Sequence, residues 1–353
     1  MENKLDTLVI LSPGFPANEA DTTCMPPMQL FVKTLKEICP GLNIIVLSFQ
    51  YPHITGSYDW FGVTVIAIGG RSKGRLFRAA TWINAWRILK KLNRKYRLMG
   101  LLSFWFGECA FVGSYFAKLY HLSHFSWILG QDAKKGNKYF NWIKPKGDSL
   151  IALSDFIARE FRKNYKITPL HIIPVGIDTS LFGPPPAKRD IDILGAGSLI
   201  PLKRYDLFIG SIGVLKESFP DIKAVICGKG PEMAGLQTLA GRLNLSGNIA
   251  FAGELPYAEV LAMMQRSKIF LHTSNYEGFG AVLAEALYAG AHVVSFCKPM
   301  DREYRHHYVV NSAEEMNAGI LNILKKTGRG HDPVLMCEIQ QVAKNVISLF
   351  ADQ

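Results

Sequence analysis

The 353-residue sequence has no acidic residue between Asp59 and Glu108, no tryptophan after Trp142 and no cysteine pair spaced as Cys-x-x-Cys. Its six cysteines (Cys24, Cys39, Cys109, Cys227, Cys297 and Cys337) are scattered, which favours reduced thiols in a cytosolic protein and argues against a structural zinc site. Low-complexity tracts are absent, and the apolar content is that of an ordinary folded protein. A signal peptide is not expected, because Leu8–Leu11 is too short and Pro13 and Pro16 interrupt it. One run, Leu98 to Ala117, has membrane-spanning length at about twenty residues. Glu108 in its middle, beside Gly107, favours a buried strand, a turn and a helix instead.

The chain is long enough for two domains. Up to Phe182 it carries 23 Lys/Arg against 12 Asp/Glu; the remaining 17 of each sign follow, out of totals of 40 and 29. All six tryptophans also fall in the first half. The two halves therefore meet different partners. The basic surplus concentrates between Arg71 and Arg97, where a helix over 73–97 is expected with Trp82, Ala85, Trp86, Leu89, Leu92 and Tyr96 on one side. Arg78, Trp82, Trp86, Arg87, Lys90, Lys91 and Arg94 are its candidate contact residues. Such a helix suits an anionic lipid surface at the inner face of the membrane, or an acidic acceptor. In the plainer reading the aromatic stripe packs on a sheet and the bases are solvated. Nucleic acid is not expected, since no recognised binding module accompanies the charge.

The most informative stretch is Asn275 to Leu287. A short apolar run, Ile269–Leu271, precedes it and another, His292–Phe296, follows, so strand, Gly-bearing turn, helix and strand is the expected order. Gly278 and Gly280 bracket the turn and allow close backbone approach. A helix starting near Gly280 would aim its positive end at an anion such as a diphosphate. Glu277 at its mouth and Glu285 inside it can accept hydrogen bonds from sugar hydroxyls. In the plainer reading Glu277 is a helix cap and Glu285 a solvated face residue.

Glu277 and Glu285, within Glu-Gly-Phe-Gly-x4-Glu-Ala, resemble the E-x7-E signature of retaining glycosyltransferases of family four. Further family-like pieces occur in order: Pro174–Asp178 with Phe182, Gly195–Leu199 with Lys203, and Gly228-Lys229-Gly230-Pro231-Glu232. The resemblance runs from about Ser149 to Val294. It implies the GT-B fold: an α/β protein of two Rossmann-like, doubly wound domains facing a cleft, with the C-terminal helix crossing back to the first. The expected division is an acceptor domain over 1–183, a stiff linker at Gly183–Pro186, a nucleotide-sugar domain over 190–332 and a C-terminal helix over 333–353.

By resemblance, Glu277 contacts the donor sugar and Glu285 the nucleotide ribose. Gly14, Ser198, Lys203, Arg204, Gly228, Gly230, Gly253, Leu255, Gly278, Phe279 and Gly280 are the other donor-binding candidates, and Glu277, Lys203 and Asp132 the catalytic ones. Lys203 supplies a cation for the diphosphate. The family usually has an arginine where Ser198 stands, with Arg204 a possible substitute, and a histidine where Leu129 precedes Asp132. Asp132 is equally readable as a turn aspartate that caps the next segment. The triplet Asp190-Ile191-Asp192 mimics a metal-binding D-x-D, but no acidic cluster supports it, and neither metal nor cofactor is expected.

The implied function is a metal-independent, retaining glycosyltransferase. It would move a hexose-type sugar from a nucleotide-diphosphate donor, UDP before GDP, to a saccharide or lipid-linked acceptor in polysaccharide or glycolipid synthesis. A nucleotide-sugar epimerase, a sugar phosphorylase and a non-catalytic nucleotide-sugar binder are the alternatives on the same fold.

Overall fold

The computed structural model describes residues 4–71, 74–326 and 330–351, and of residues 75 and 76 the backbone alone. Two compact units divide the chain: Met1–Gly176 with Ile339–Gln353, and Ile177–Glu338.

Unit 1 is built from β1 (Asp6–Gly14), α1 (Pro26–Ile38), β2 (Asn43–Tyr51), β3 (Gly56–Trp60), β4 (Val63–Ala67), α2 (Arg75–Lys95), β5 (Arg97–Phe104), α3 (Glu108–Tyr120), β6 (Ser123–Ile128), α4 (Lys138–Ile143), β7 (Leu150–Ala152), α5 (Asp155–Tyr165) and β8 (His171–Ile172). Its eight-stranded sheet has the order β3-β4-β2-β1-β5-β6-β7-β8. Every pairing is parallel except β3 with β4. The inner strands are near-continuous apolar runs, such as Leu8–Leu11 with none of its surface exposed, because helices cover both faces of a parallel sheet. The run that had membrane-spanning length is β5, a turn and α3. Among the described residues, no helix is long and apolar enough to cross a membrane.

Unit 2 follows the same logic with β9 (Ile191–Ala196), α6 (Tyr205–Lys216), β10 (Ala224–Cys227), α7 (Met233–Arg242), β11 (Ile249–Gly253), α8 (Tyr257–Arg266), β12 (Ser267–His272), α9 (Ala281–Tyr288), β13 (His292–Ser295), β14 (His307–Val309) and α10 (Ala313–Lys325). Its six strands are all parallel, in the order β11-β10-β9-β12-β13-β14. Strand order reverses between β9 and β12, which opens a crevice at their carboxyl ends.

The boundary lies at Gly176–Ile177 rather than in the proline run at Gly183–Pro186. The chain is tied to unit 2 before it reaches those prolines. The Ile177 amide donates to the Cys337 carbonyl at 2.8 Å, Phe182 packs edge-on against Tyr288, and Gln265 donates to the Gly183 carbonyl. The last helix, α11 (Ile339–Ala351), belongs to unit 1, packing on α1 and setting Phe350 against Phe125 at 5.0 Å. It starts later than the expected 333, because Val334 is still bonded to the Leu287 carbonyl of unit 2. Asp352 and Gln353 lie outside the described residues.

The helix expected over 73–97 is α2, and Lys73 lies outside the described residues. Arg97 is not part of it: the chain turns extended at Tyr96 and Arg97 opens β5, paired with Asp6. Arg78, Trp82 and Trp86 do not form an outward surface. The Trp82 indole donates to Glu108 at 2.9 Å and its ring packs on Phe111, Trp86 packs on Phe116, and Arg78 lies 3.9 Å from Glu108. The amphipathic face is spent on α3, as side chains at helical spacing must be when a sheet lies beneath. Arg87, Lys90, Lys91 and Arg94 are exposed, in line with Ile83, which is 53% exposed.

Candidate functional site

The residues that converge in unit 2 come from the two strands flanking the crevice. After β9 the chain makes a 3-10 turn, Pro201–Lys203, and after β12 it runs through Thr273 to Gly280 into α9. These loops are fastened together: Thr273 Oγ1 donates to the Lys203 carbonyl at 2.8 Å and the Asn275 amide to the Leu202 carbonyl at 3.2 Å. Lys203 and Glu277 are thereby brought side by side, and the Lys203 ammonium pairs with Glu277 Oε1. His272, at the end of β12 and 4% exposed, places Nε2 3.1 Å from the same oxygen.

Burial pulls the Glu277 carboxyl upward, but the His272 hydrogen bond and the Lys203 charge outweigh it and hold it down at about 2. Burial also lowers His272, so its imidazole is neutral and donates from Nε2. α9 begins directly beyond this cluster. Gly280 enters it at φ 71°, a left-handed conformation that a Cβ would strain, and as the N-cap residue it brings no capping side chain of its own. The positive end of α9 and the Lys203 ammonium thus lie at one strand end, an arrangement that suits an anion. Phe279 is buried in the turn and Gly278 with it.

Glu285 is one and a half turns into α9 and 5% exposed, not a solvated face residue. Tyr257, at the start of α8, donates to its Oε1 at 2.8 Å. Burial outweighs that bond and pushes the Glu285 carboxyl up to about 7. Neither Tyr257 nor His272 was singled out in the sequence. The first is the opening residue of a helix, and the second is hidden at the end of an apolar strand.

Other candidates have structural tasks. At Gly228, φ is 140° and a Cβ would meet the Gly197 carbonyl at 1.9 Å; at Gly230 it would meet that of Leu199 at 2.3 Å. The Gly228 amide is spent on the Gly253 carbonyl at 2.7 Å, so these turns knit β9, β10 and β11 together. Leu255 is half-buried against the unit-2 core, and Ser198 is exposed. Arg204, the possible substitute for the missing arginine, pairs its guanidinium in a fork with Asp206, at 3.0 Å for both Nε and Nη2. In unit 1, Gly14 is the last residue of β1 and buried, paired with Tyr51, rather than part of an open loop. Asp132 accepts from the backbone amides of Phe106, Gly130 and Leu129 at 2.7, 2.7 and 3.2 Å. That is the turn-organising role, and both of its oxygens are committed to it. Asp190 and Asp192 pair with Arg266 and Lys268. Among the described residues no group of three His, Cys, Asp or Glu side chains is placed to hold a metal.

The model for glycosyl transferases group 1 matches residues 177–333, and that for glycosyltransferase family 4 matches residues 38–181. The chain belongs to the family 4, group 1 glycosyltransferases. Within this family it is 32% identical over 127 residues to the gpi3 subunit of phosphatidylinositol N-acetylglucosaminyltransferase from Schizosaccharomyces pombe, covering 35% of this chain and 28% of that protein. It is 26% identical over 178 residues to Mycobacterium tuberculosis glycogen synthase, 49% of this chain and 43% of the relative. The chain thus spans less than half the length of these curated relatives.

The GT-B fold is shared with sucrose-phosphate synthase from Thermosynechococcus elongatus (TM-score 0.72, 15% identity, 99% of this chain and 97% of that one). It is shared equally with Anabaena HepE in complex with UDP and glucose (TM-score 0.69, 14% identity, 99% and 98%).

Proposed function

We propose that this family 4 chain is a retaining, metal-independent glycosyltransferase that uses a nucleotide-diphosphate sugar, UDP-linked before GDP-linked. The observation that carries the proposal is the Lys203–Glu277 pair at the β9/β12 strand ends, directly before the glycine-led start of α9. The diphosphate would draw the Lys203 ammonium and lie against the α9 N-terminus. Glu277 would then accept from sugar hydroxyls and Glu285, beside Tyr257, from the ribose. The bond from the anomeric carbon to the leaving diphosphate breaks as the acceptor oxygen bonds on the same face, and the acceptor proton leaves with the diphosphate. Catalysis is then mainly positioning and stabilisation of the leaving group. UDP in the HepE complex supports the choice of base.

The acceptor, a saccharide or lipid-linked saccharide of the kind used in polysaccharide or glycolipid synthesis, is proposed to engage unit 1. Its exposed bases Arg87, Lys90, Lys91 and Arg94, with Ile83 among them, fit peripheral attachment to an anionic membrane face from the cytoplasm. A second reading, donor binding without turnover, is favoured by one observation: Ser198 stands in place of the family's arginine, and Arg204 is occupied by Asp206.

A thermal-shift panel of UDP, GDP, ADP and their common sugars on wild type and Glu285→Ala tests the site. Stabilisation by one nucleotide series, weakened in the variant, supports it. Subsequent transfer to an added saccharide or lipid acceptor separates turnover from mere binding. No shift with any nucleotide, from folded protein, removes the reading.

A further inference from the structure

His272 has no evident task in the fold. It terminates an apolar parallel strand, Ile269-Phe270-Leu271, where aliphatic side chains would pack as well. An imidazole there must lose water, which is unfavourable without a hydrogen-bond partner. Its partner is Glu277 Oε1, at 3.1 Å, on the loop that β12 feeds. The same oxygen takes the Lys203 ammonium, so one carboxylate oxygen is held from two sides.

These two donors are not equivalent. The Lys203 ammonium sits on a flexible stem and is the group that a diphosphate would attract. Once it turns to that anion, Glu277 loses its counter-charge, yet it must keep its orientation to receive a sugar. The His272 ring is buried, stacked at 16° to the Phe270 ring, and rigidly tied to the strand. We infer that His272 is a positioning residue for donor recognition: its Nε2–H fixes the Glu277 carboxylate when Lys203 moves to the diphosphate. The pair would let the protein discriminate a nucleotide-diphosphate sugar from the free nucleoside diphosphate, because Lys203 reads the phosphates and the His272-held Glu277 reads the sugar. This inference rests on the donor reading proposed above.

The test compares wild type, His272→Leu and His272→Gln by calorimetric titration. The probes are UDP, GDP and ADP and, for whichever binds, its glucose, N-acetylglucosamine, galactose or mannose conjugates. Leucine fills the buried site without a donor, whereas the glutamine amide reaches about where Nε2 stands. Loss of a hydrogen bond to a charged group corresponds to about tenfold or more in affinity. The expected result is that loss for the sugar nucleotide in His272→Leu, with the free diphosphate within about twofold of wild type and His272→Gln within about threefold for both. Equal weakening of both ligands in His272→Leu would mean a merely structural role and overturn the inference. So would an unchanged sugar-nucleotide affinity, or a glutamine variant as impaired as leucine. Wild type that binds none of the three diphosphates would instead sink the donor reading, and this inference with it.

Discussion

The two units solve the same folding problem and use their polar residues in opposite ways. In unit 2 the polar side chains at the carboxyl ends of β9 and β12 converge on one another: Lys203 on Glu277, His272 on Glu277, Thr273 on the Lys203 backbone. In unit 1 the comparable positions are consumed locally. Asp132 organises its own turn and Gly14 is buried within β1. The distinctive chemistry of unit 1 is on its outside, where α2 turns its tryptophans inward and Arg87, Lys90, Lys91 and Arg94 to solvent. A strand-end cluster of mutually bonded ionisable groups is suited to a small molecule; a solvated basic stripe is suited to a surface, where affinity comes from many weak charges.

Four variants would break or sharpen this contrast. Lys203→Ala should have the largest effect, lowering sugar transfer or, for a binder, nucleotide affinity by about a hundredfold or more. Association with vesicles should be untouched. A matching loss from substitutions on α2 would show that the units do not divide the work as described.

Glu285→Gln comes next, and its signature depends on pH. The Glu285 carboxyl titrates at about 7 in the folded chain against 4.5 in the ordinary state. The native state therefore holds the proton more tightly, and wild-type stability falls as pH rises from about 4.5 through 7, by up to about 3 kcal/mol. The amide keeps the Tyr257 hydrogen bond without the charge. Calorimetric melting should show the variant more stable than wild type at pH 8 and no better at pH 4.5, while it binds nucleotide more weakly. Glu277 carries the opposite sign: its depressed value stabilises the fold above about pH 4.5, a contribution lost as pH falls towards 2.

Reversing the α2 stripe, with Arg87, Lys90, Lys91 and Arg94 all changed to Glu, should weaken cosedimentation with anionic vesicles by about tenfold or more at low salt. Nucleotide affinity should stay at the wild-type level. Arg204→Ala should do least: its pairing with Asp206 is exposed, and exposed pairs contribute little. Nucleotide affinity within about twofold of wild type is expected there, and a large loss would return Arg204 to the diphosphate site.

What could be read from the sequence follows from how local each signal is. Glu277, the glycines and Glu285 lie within one turn and one helix, so their spacing alone placed both carboxylates and the start of α9. The parallel strands were legible as apolar runs, but β3 and β14 were not: an edge hairpin strand with exposed Gly56, Ser57 and Asp59, and a three-residue strand, carry too little pattern. Tyr257 and His272 gain meaning only when the sheet brings α8 to α9 and β12 to its own following loop. The same is true in reverse for Arg78 and Trp82. Their composition suggested a surface, and only the arrival of Glu108 from the next helix shows why they turn inward.

Under the proposed function, unit 2 would hold a nucleotide diphosphate by exchanging the Lys203–Glu277 pair for a Lys203–phosphate contact. A crystal structure of the chain with UDP tests it most directly. The account predicts the diphosphate within hydrogen-bonding distance of Lys203 Nζ and the α9 amides, the ribose on Glu285, and Glu277 freed from lysine but still on His272. Nucleotide bound elsewhere, or bound there with the Lys203–Glu277 pair intact, would contradict it.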